Sequence, residues 1–95
     1  MRVEWKPQAI KDLEAIEEYY LKTAPSYGEI FVDNVLAATW QLEEFPESGR
    51  MVPEIGDPTI REIFYRSYRI IYLFEGDGPV EIFTIVHTSQ QFGEI

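Results

Sequence analysis

Four of the eight cationic side chains lie close together in the second half of the chain. They are Arg50, Arg61, Arg66 and Arg69. Arginine holds phosphate or carboxylate groups through paired hydrogen bonds and stabilises negative charge that develops during a reaction. The one histidine, His87, or a tyrosine could pass the protons of an acid–base step. Arg61, Arg69 and His87 are therefore candidate catalytic residues for RNA cleavage.

The same side chains also have a structural interpretation. Arg61 or Arg69 can pair with Glu62 or Glu54 and extend its aliphatic stem over a sheet. A histidine at a strand end, such as His87, is more often a hydrogen-bonded structural residue than a catalyst. Residue chemistry alone leaves open whether the protein is an enzyme, and it favours the structural interpretation.

Composition excludes several kinds of site. With no cysteine and one histidine, the chain lacks the usual ligands of a metal centre, and no acidic spacing resembles a calcium loop. No glycine-rich loop offers a phosphate cradle. We therefore expect neither a metal nor a cofactor. The lack of cysteine fits a reducing cytoplasm, and no apolar run approaches the roughly 20 residues of a membrane span. We expect a cytoplasmic protein that does not bind membranes.

The overall charge also restricts the partners. Seventeen acidic side chains against eight basic ones give a formal charge of −9 and a pI near 4.4. Non-specific binding to nucleic acids depends on neutralising phosphates with lysine and arginine. We expect the protein to repel RNA except at a local cluster of cations.

Apolar periodicity predicts two helices after a short strand at residues 1–5. The first helix covers residues 7–22 and begins at Pro7, whose missing N–H costs nothing in a first turn. The second begins at Ser26, where a capping box with Glu29 is expected, and ends before Pro46. Its apolar stripe consists of Phe31, Val35, Ala38, Leu42 and Phe45. Trp40 lies half a turn from this stripe, where it covers the edge of the core or fills a second interface.

The period changes from 3.6 to 2 after a proline- and glycine-rich loop at residues 46–58. Three strands are predicted at about residues 59–66, 68–75 and 80–87. The order β-α-α-β-β-β indicates a single α+β domain over residues 1–95, with a helical hairpin on one face of a small antiparallel sheet. One parity of each strand should be buried. The predicted core consists of Leu13, Ile16, Phe31, Val35, Leu42, Ile63, Ile70, Tyr72, Ile82 and Ile85.

Five motifs in this order resemble the RelE/ParE superfamily, the toxins of bacterial type II toxin–antitoxin modules, also called plasmid stabilisation proteins. They are "WKPQAIKDLEAI" (5–16), "FPESGRMVPE" (45–54), "IREI" (60–63), "YRIIY" (68–72) and "VH" (86–87). The resemblance covers nearly the whole chain and implies the same β-α-α-β-β-β fold. It also implies a toxin that an antitoxin from the same operon neutralises.

The resemblance leaves two targets open. ParE-like members poison DNA gyrase by protein contact, whereas RelE-like members enter the ribosome and cleave mRNA. The motifs "GR-x-VPE", "IRE" and "YRI-x-Y" are closer to the ParE-like branch, and the charge of −9 also disfavours a ribosomal RNA cleft. Gln90 and Gln91 stand where many relatives carry a basic residue, and the chain stops at Ile95. A third alternative is therefore an attenuated module that only binds its antitoxin.

The resemblance also suggests roles for individual residues. Arg61 and Glu62, with Glu54, are expected to tie the loop "GRMVPE" to the sheet by ion pairing. The residues expected to bind the target or the antitoxin are Arg50, Arg66, Arg69, Trp40, Tyr19 and Phe92. The antitoxin segment is expected to be basic because the toxin is acidic. Both a homodimer and a heterotetramer with the antitoxin remain open.

Overall fold

The computed structural model describes residues 2–90 of the 95-residue chain. Its elements, in chain order, are β1 (Val3–Trp5), α1 (Pro7–Thr23), α2 (Pro25–Glu44), β2 (Arg50–Met51), β3 (Ile60–Tyr65), β4 (Tyr68–Leu73) and β5 (Val80–His87). The five strands form one sheet in the order β1-β5-β4-β3-β2. The α+β fold with two helices on a sheet is confirmed.

Two features of the sheet differ from the prediction. β1 pairs with β5 in parallel, so the sheet is mixed, while all other neighbouring strands are antiparallel. The two-residue strand β2 lies inside the segment predicted to be loop and pairs with Glu62 and Arg61 of β3. A strand this short has no periodicity from which it could be predicted.

Prolines begin both helices. Pro7 and Pro25 each stand in a first turn, where the fixed φ suits the helix and the missing N–H is not needed. The predicted capping box of Ser26 and Glu29 is wrong, because Ala24 is the N-cap and no side chain caps the helix. Pro25 starts the helix one residue before Ser26, which places Ser26 inside the first turn.

The two helices meet closely where they join. Only Ala24 separates them, and its carbonyl accepts hydrogen bonds from the N–H groups of Tyr27 and Gly28. A Cβ added to Gly28 would lie 2.7 Å from the backbone nitrogen of Leu21. Glycine is therefore required at this crossing, and it lets α2 fold back against α1.

The main core lies between the helices and the sheet. Nine of the ten predicted core residues are buried there, and Ile16 packs against them, so the predicted core is confirmed. Phe45 is an exception to the predicted α2 stripe: α2 ends at Glu44, and Phe45 is 62% exposed.

The opposite face of the sheet carries a second, smaller core. Val52, from the loop after β2, is fully buried there against Ile71 and Val86. This loop makes β4 buried on both faces, so the prediction of one buried parity per strand is wrong for β4. We call this side, to which Glu62 and Arg69 also belong, the open face.

Candidate functional site

The open face holds an arginine–glutamate network. The Glu62 carboxylate has no exposed side-chain area, and it accepts hydrogen bonds from Arg69 Nε at 2.5 Å and from Arg50 Nε at 2.7 Å. Arg69 Nη2 also donates to Glu62 at 3.0 Å. Glu54, from the loop after β2, accepts from Arg69 Nη1 and Nη2 at 2.7 and 2.8 Å. Two carboxylates therefore hold one nearly buried guanidinium.

The charges in this network stabilise each other. The hydrogen bond from Arg69, followed by one from the backbone N–H of Glu54 itself, lowers the pKa of the Glu54 carboxyl from 4.5 to about 2. Hydrogen bonds to Glu54 and then to Glu62 raise the pKa of Arg69 above its ordinary value. The network fastens the loop that carries Val52 and Glu54 onto the open face, and it neutralises the cations of that face.

Arg61 lies outside this network. Its Nη1 donates to the backbone carbonyls of Gly49 at 2.8 Å and Glu47 at 3.3 Å. The same loop is held by the Tyr72 hydroxyl, which donates to the Pro46 carbonyl at 2.8 Å and accepts the Gly49 N–H at 3.0 Å. Arg61 thus connects the loop to the sheet through carbonyl groups, while the ion pairs are made by Arg69 and Arg50.

His87 stands at the exposed end of β5. Its Nδ1 accepts the Ser89 N–H at 3.1 Å and lies 2.8 Å from Ser89 Oγ, and its ring packs edge-on against Tyr68 at 5.3 Å. His87 pairs with Tyr68, whose neighbour Arg69 points to the opposite face.

The three candidate catalytic residues are not brought together. Arg61 pairs with Tyr72, whereas His87 pairs with Tyr68. Tyr72 and Tyr68 are four residues apart on β4, which at 3.3 Å per residue places Arg61 roughly 13 Å along the sheet from His87. Arg69 pairs with Val86 beside His87, but its side chain lies on the open face and that of His87 on the opposite face. The described geometry provides no common point that Arg61, Arg69 and His87 could all reach.

The turn between β3 and β4 presents a different cation. The Arg66 guanidinium carbon lies 5.2 Å from the Tyr27 ring centre and 5.9 Å from the Tyr65 ring centre. The Asn34 amide donates to the Tyr65 hydroxyl at 3.1 Å. The sequence pointed to Arg66 but not to Tyr27, Tyr65 or Asn34. The motif "YRSY" at residues 65–68 is a signal for Tyr65 alone.

Burial and hydrogen bonds shift the pKa values of Tyr27 and Tyr65, the two phenols beside Arg66. Burial followed by a hydrogen bond with Tyr65 raises the pKa of Tyr27 to about 12. Burial would also raise the pKa of Tyr65, but hydrogen bonds from Tyr27, Arg66 and Asn34 bring it below its ordinary value of 10.0. The Tyr65 hydroxyl thus takes part in several hydrogen bonds, and the one with Arg66 helps to hold the guanidinium in place.

The outer face of the hairpin exposes large apolar side chains. Trp40 is 63% exposed and Tyr19 is 59% exposed, so Trp40 does not cover the core. Ile30, Ala37 and Trp40 recur on the outer side of α2. Phe92, the remaining candidate for binding a partner, lies outside the described residues, as does Gln91.

Residues 2–90 contain no group of three metal-binding side chains. No described helix is long and apolar enough to cross a membrane.

Comparison with known proteins gives the family. A model described as "ParE toxin of type II toxin-antitoxin system, parDE" matches residues 3–92. The chain belongs to the ParE toxin family. A curated relative from Sinorhizobium fredii (strain NBRC 101917 / NGR234), named "Putative toxin Y4kP", is 30% identical over 94 residues, which are 99% of this chain and 95% of the relative.

The fold of this ParE-family toxin also has a solved counterpart. A chain of the chromosomal ParDE TA system from P. aeruginosa superposes with a TM-score of 0.75 and 20% sequence identity. The match covers 92% of this chain and 95% of the other. At this identity the likeness concerns the fold.

Proposed function

We propose that this ParE-type toxin acts by protein contact on DNA gyrase in the cytoplasm and is neutralised by an antitoxin from its own operon. The observation that carries the proposal is that Arg50, Arg61 and Arg69 are bound by groups of their own chain. Arg69 and Arg50 are held by Glu62 and Glu54, and Arg61 is held by carbonyl groups.

An RNA-cleaving alternative requires cations that can bind phosphates and a nearby acid–base group. On the open face the two arginines are already neutralised by carboxylates, and His87 points away from them. A net charge of −9 adds a repulsive field around the molecule. These features favour a protein target over ribosomal RNA.

The antitoxin is expected to bind the outer side of the hairpin. An exposed tryptophan such as Trp40 is a typical anchor of a protein interface. The acidic side chains Asp33, Glu43 and Glu44 accompany it on the exposed surface of α2. Two copies meeting through this surface would oppose like charges, so a basic amphipathic segment fits it better than a homodimer does.

Induced expression with parallel measurements tests the target. We expect blocked cell division and a DNA damage response, with the translation of existing mRNA intact. Purified toxin should inhibit supercoiling by gyrase. Rapid mRNA cleavage at ribosomal A-site codons would contradict the proposal and support the ribosome-dependent endoribonuclease.

The variant His87→Ala separates the two mechanisms further. Under the gyrase proposal it should keep its toxicity, because the His87 side chain hydrogen-bonds to Ser89 and packs on Tyr68, away from the arginines of the open face. For an endoribonuclease, the loss of an acid–base group would slow cleavage by roughly 10²-fold or more. A chain that binds the antitoxin but arrests no cells would identify an attenuated module.

A further inference from the structure

The turn between β3 and β4 keeps an arginine where its backbone is disfavoured. Arg66 has a φ of 51°, and among residues 2–90 it is the one non-glycine residue with a positive φ. Glycine or asparagine adopts this conformation more readily than a long side chain does. A two-residue hairpin turn needs a positive φ, and glycine would supply it without strain, so the presence of arginine suggests a use for its side chain.

The Arg66 side chain has no carboxylate partner among the described residues, although the chain carries 17 acidic side chains. It is exposed and lies over the rings of Tyr27 and Tyr65. A guanidinium over a ring face keeps N–H donors at its edge, and that edge matches a planar carboxylate. Asn34 fixes Tyr65, which in turn positions the guanidinium.

The aromatic rings connect this position to the helical hairpin. Tyr19 packs on Tyr20 at 5.2 Å, and Tyr20 packs on Tyr27 at 4.7 Å. Tyr19, Tyr20 and Tyr27 therefore form a row of rings that leads from the exposed Tyr19 of α1 to Arg66. A partner segment that crosses the joined end of the hairpin would follow this row and reach the guanidinium.

We propose that Arg66, held by Tyr27 and Tyr65, anchors one acidic side chain of the antitoxin segment and so fixes its register on the toxin. This inference rests on the proposed neutralisation by an antitoxin. We expect the rest of the segment to be basic to match the acidic hairpin, so a single acidic residue would have one favourable place to bind. A lysine or an arginine in that place would be repelled by Arg66.

A phosphate group fits this position less well. Phosphate sites usually combine several donors and cations, whereas Arg66 offers one guanidinium. A carboxylate needs one guanidinium edge. The ligand class is thus a glutamate or aspartate side chain, and phosphate is a competing outcome of the test.

The first experiment needs no antitoxin. Isotope-labelled toxin is titrated with N-acetyl-glutamate amide, N-acetyl-glutamine amide and inorganic phosphate, while NMR follows the Arg66 Nε–H and the Tyr65 ring. We expect saturable shifts with the glutamate compound and none with the glutamine compound. Equal shifts with both compounds, no shifts, or tighter binding of phosphate would overturn the assignment of a carboxylate.

The second experiment measures antitoxin binding and thermal unfolding for Arg66→Gly. Lys11→Ala, which removes the same charge from an exposed position on α1, is the matched control. We expect Arg66→Gly to raise the Kd about 10- to 100-fold, the scale of a hydrogen bond to a charged group, without lowering the Tm, since glycine suits the turn. Lys11→Ala should change the Kd by less than about threefold.

Each outcome of the second experiment decides a separate point. An unchanged Kd with a lowered Tm would make Arg66 a structural residue and overturn the proposal. Arg66→Glu combined with single Asp→Lys or Glu→Lys changes in the antitoxin should restore binding for one pair only. If the unaltered toxin binds no antitoxin, the proposed neutralisation and this assignment of the partner both fail, while the titration still decides whether Arg66 binds carboxylates.

Discussion

At the scale of single residues, Glu62 is the central group of the open-face network. Its carboxylate is fully buried and accepts hydrogen bonds from both Arg69 and Arg50. Glu62→Ala would remove one of the two carboxylates that bind the nearly buried Arg69. We expect a loss of about 3–5 kcal/mol in the free energy of unfolding, the usual cost of breaking a buried pair, as measured by urea denaturation.

A double variant checks the reason for this loss. Glu62→Leu combined with Arg69→Met replaces both buried charges with apolar side chains of similar size, and it should recover most of the stability lost by Glu62→Ala. Glu54→Ala should cost less than Glu62→Ala, because the Glu54 side chain is 44% exposed. A double variant as unstable as Glu62→Ala would show that packing, and not charge pairing, explains the loss.

The lowered pKa of Glu54 predicts a pH dependence. The folded-state pKa of about 2 is below the ordinary value of 4.5, so the contribution of Glu54 to stability is complete above about pH 4.5 and is lost as the pH falls toward 2. Glu54→Gln should therefore be less stable than the unaltered protein at pH 6, with the difference closing near pH 2. Urea denaturation across this range measures the difference, and a constant difference would contradict the coupling to Arg69.

At the scale of elements, the crossing of the two helices depends on Gly28. At an unobstructed position inside a helix, replacing glycine with alanine raises the free energy of unfolding by about 0.5–1 kcal/mol. Here the new Cβ would lie 2.7 Å from the Leu21 nitrogen and 3.0 Å from its Cα, which are backbone atoms that cannot turn away. We expect Gly28→Ala to lower the free energy of unfolding by about 1–3 kcal/mol, the scale of overpacking.

Ser26→Ala is the control for Gly28→Ala in the same helical turn. Because Ser26 does not cap α2, this change should alter the free energy of unfolding by less than about 0.5 kcal/mol. A loss near 1 kcal/mol would instead indicate that Ser26 is an N-cap in solution.

The helices and the long strands could be predicted because their apolar residues repeat with a regular period over many positions. Features that depend on contacts between distant segments could not be predicted from such local patterns. β2 exists because Arg50 and Met51 pair with β3, and β4 is buried on both faces because Val52 folds over it. The capping box failed for a local reason, since Pro25 competed with Ser26 for the helix start.

The candidate site could be predicted in part. Residue types identified the arginines and Glu62, and strand alternation separates Arg61 from Glu62. Which carboxylate binds which arginine depends on the loop that brings Glu54 to Arg69, and no local pattern encodes that contact. The stacking of Arg66 on Tyr27 likewise joins two segments that are far apart in the sequence.

At the scale of the whole molecule, the charge is concentrated on the hairpin. α1 and α2 carry eight acidic side chains and two lysines, so they hold most of the net charge of −9. The field of such a surface extends over a Debye length, about 30 Å at 0.01 M salt and about 8 Å at 0.15 M. A basic antitoxin segment should be attracted over this distance before any contact forms, and the attraction should weaken as salt is added.

Steering charges act mainly on encounter, whereas short-range contacts at residues such as Trp40 and Arg66 determine how long the complex lasts. We therefore expect the association rate of toxin and antitoxin to fall clearly between 0.01 and 0.15 M salt, while the dissociation rate changes little. Stopped-flow binding across ionic strength measures both rates. Trp40→Ala should show the reverse, with faster dissociation and the same salt dependence of association, because it removes apolar contact and no charge. A salt-independent association rate, or an antitoxin segment that is acidic as a whole, would reject the electrostatic part of this mechanism and leave the apolar contacts to hold the complex.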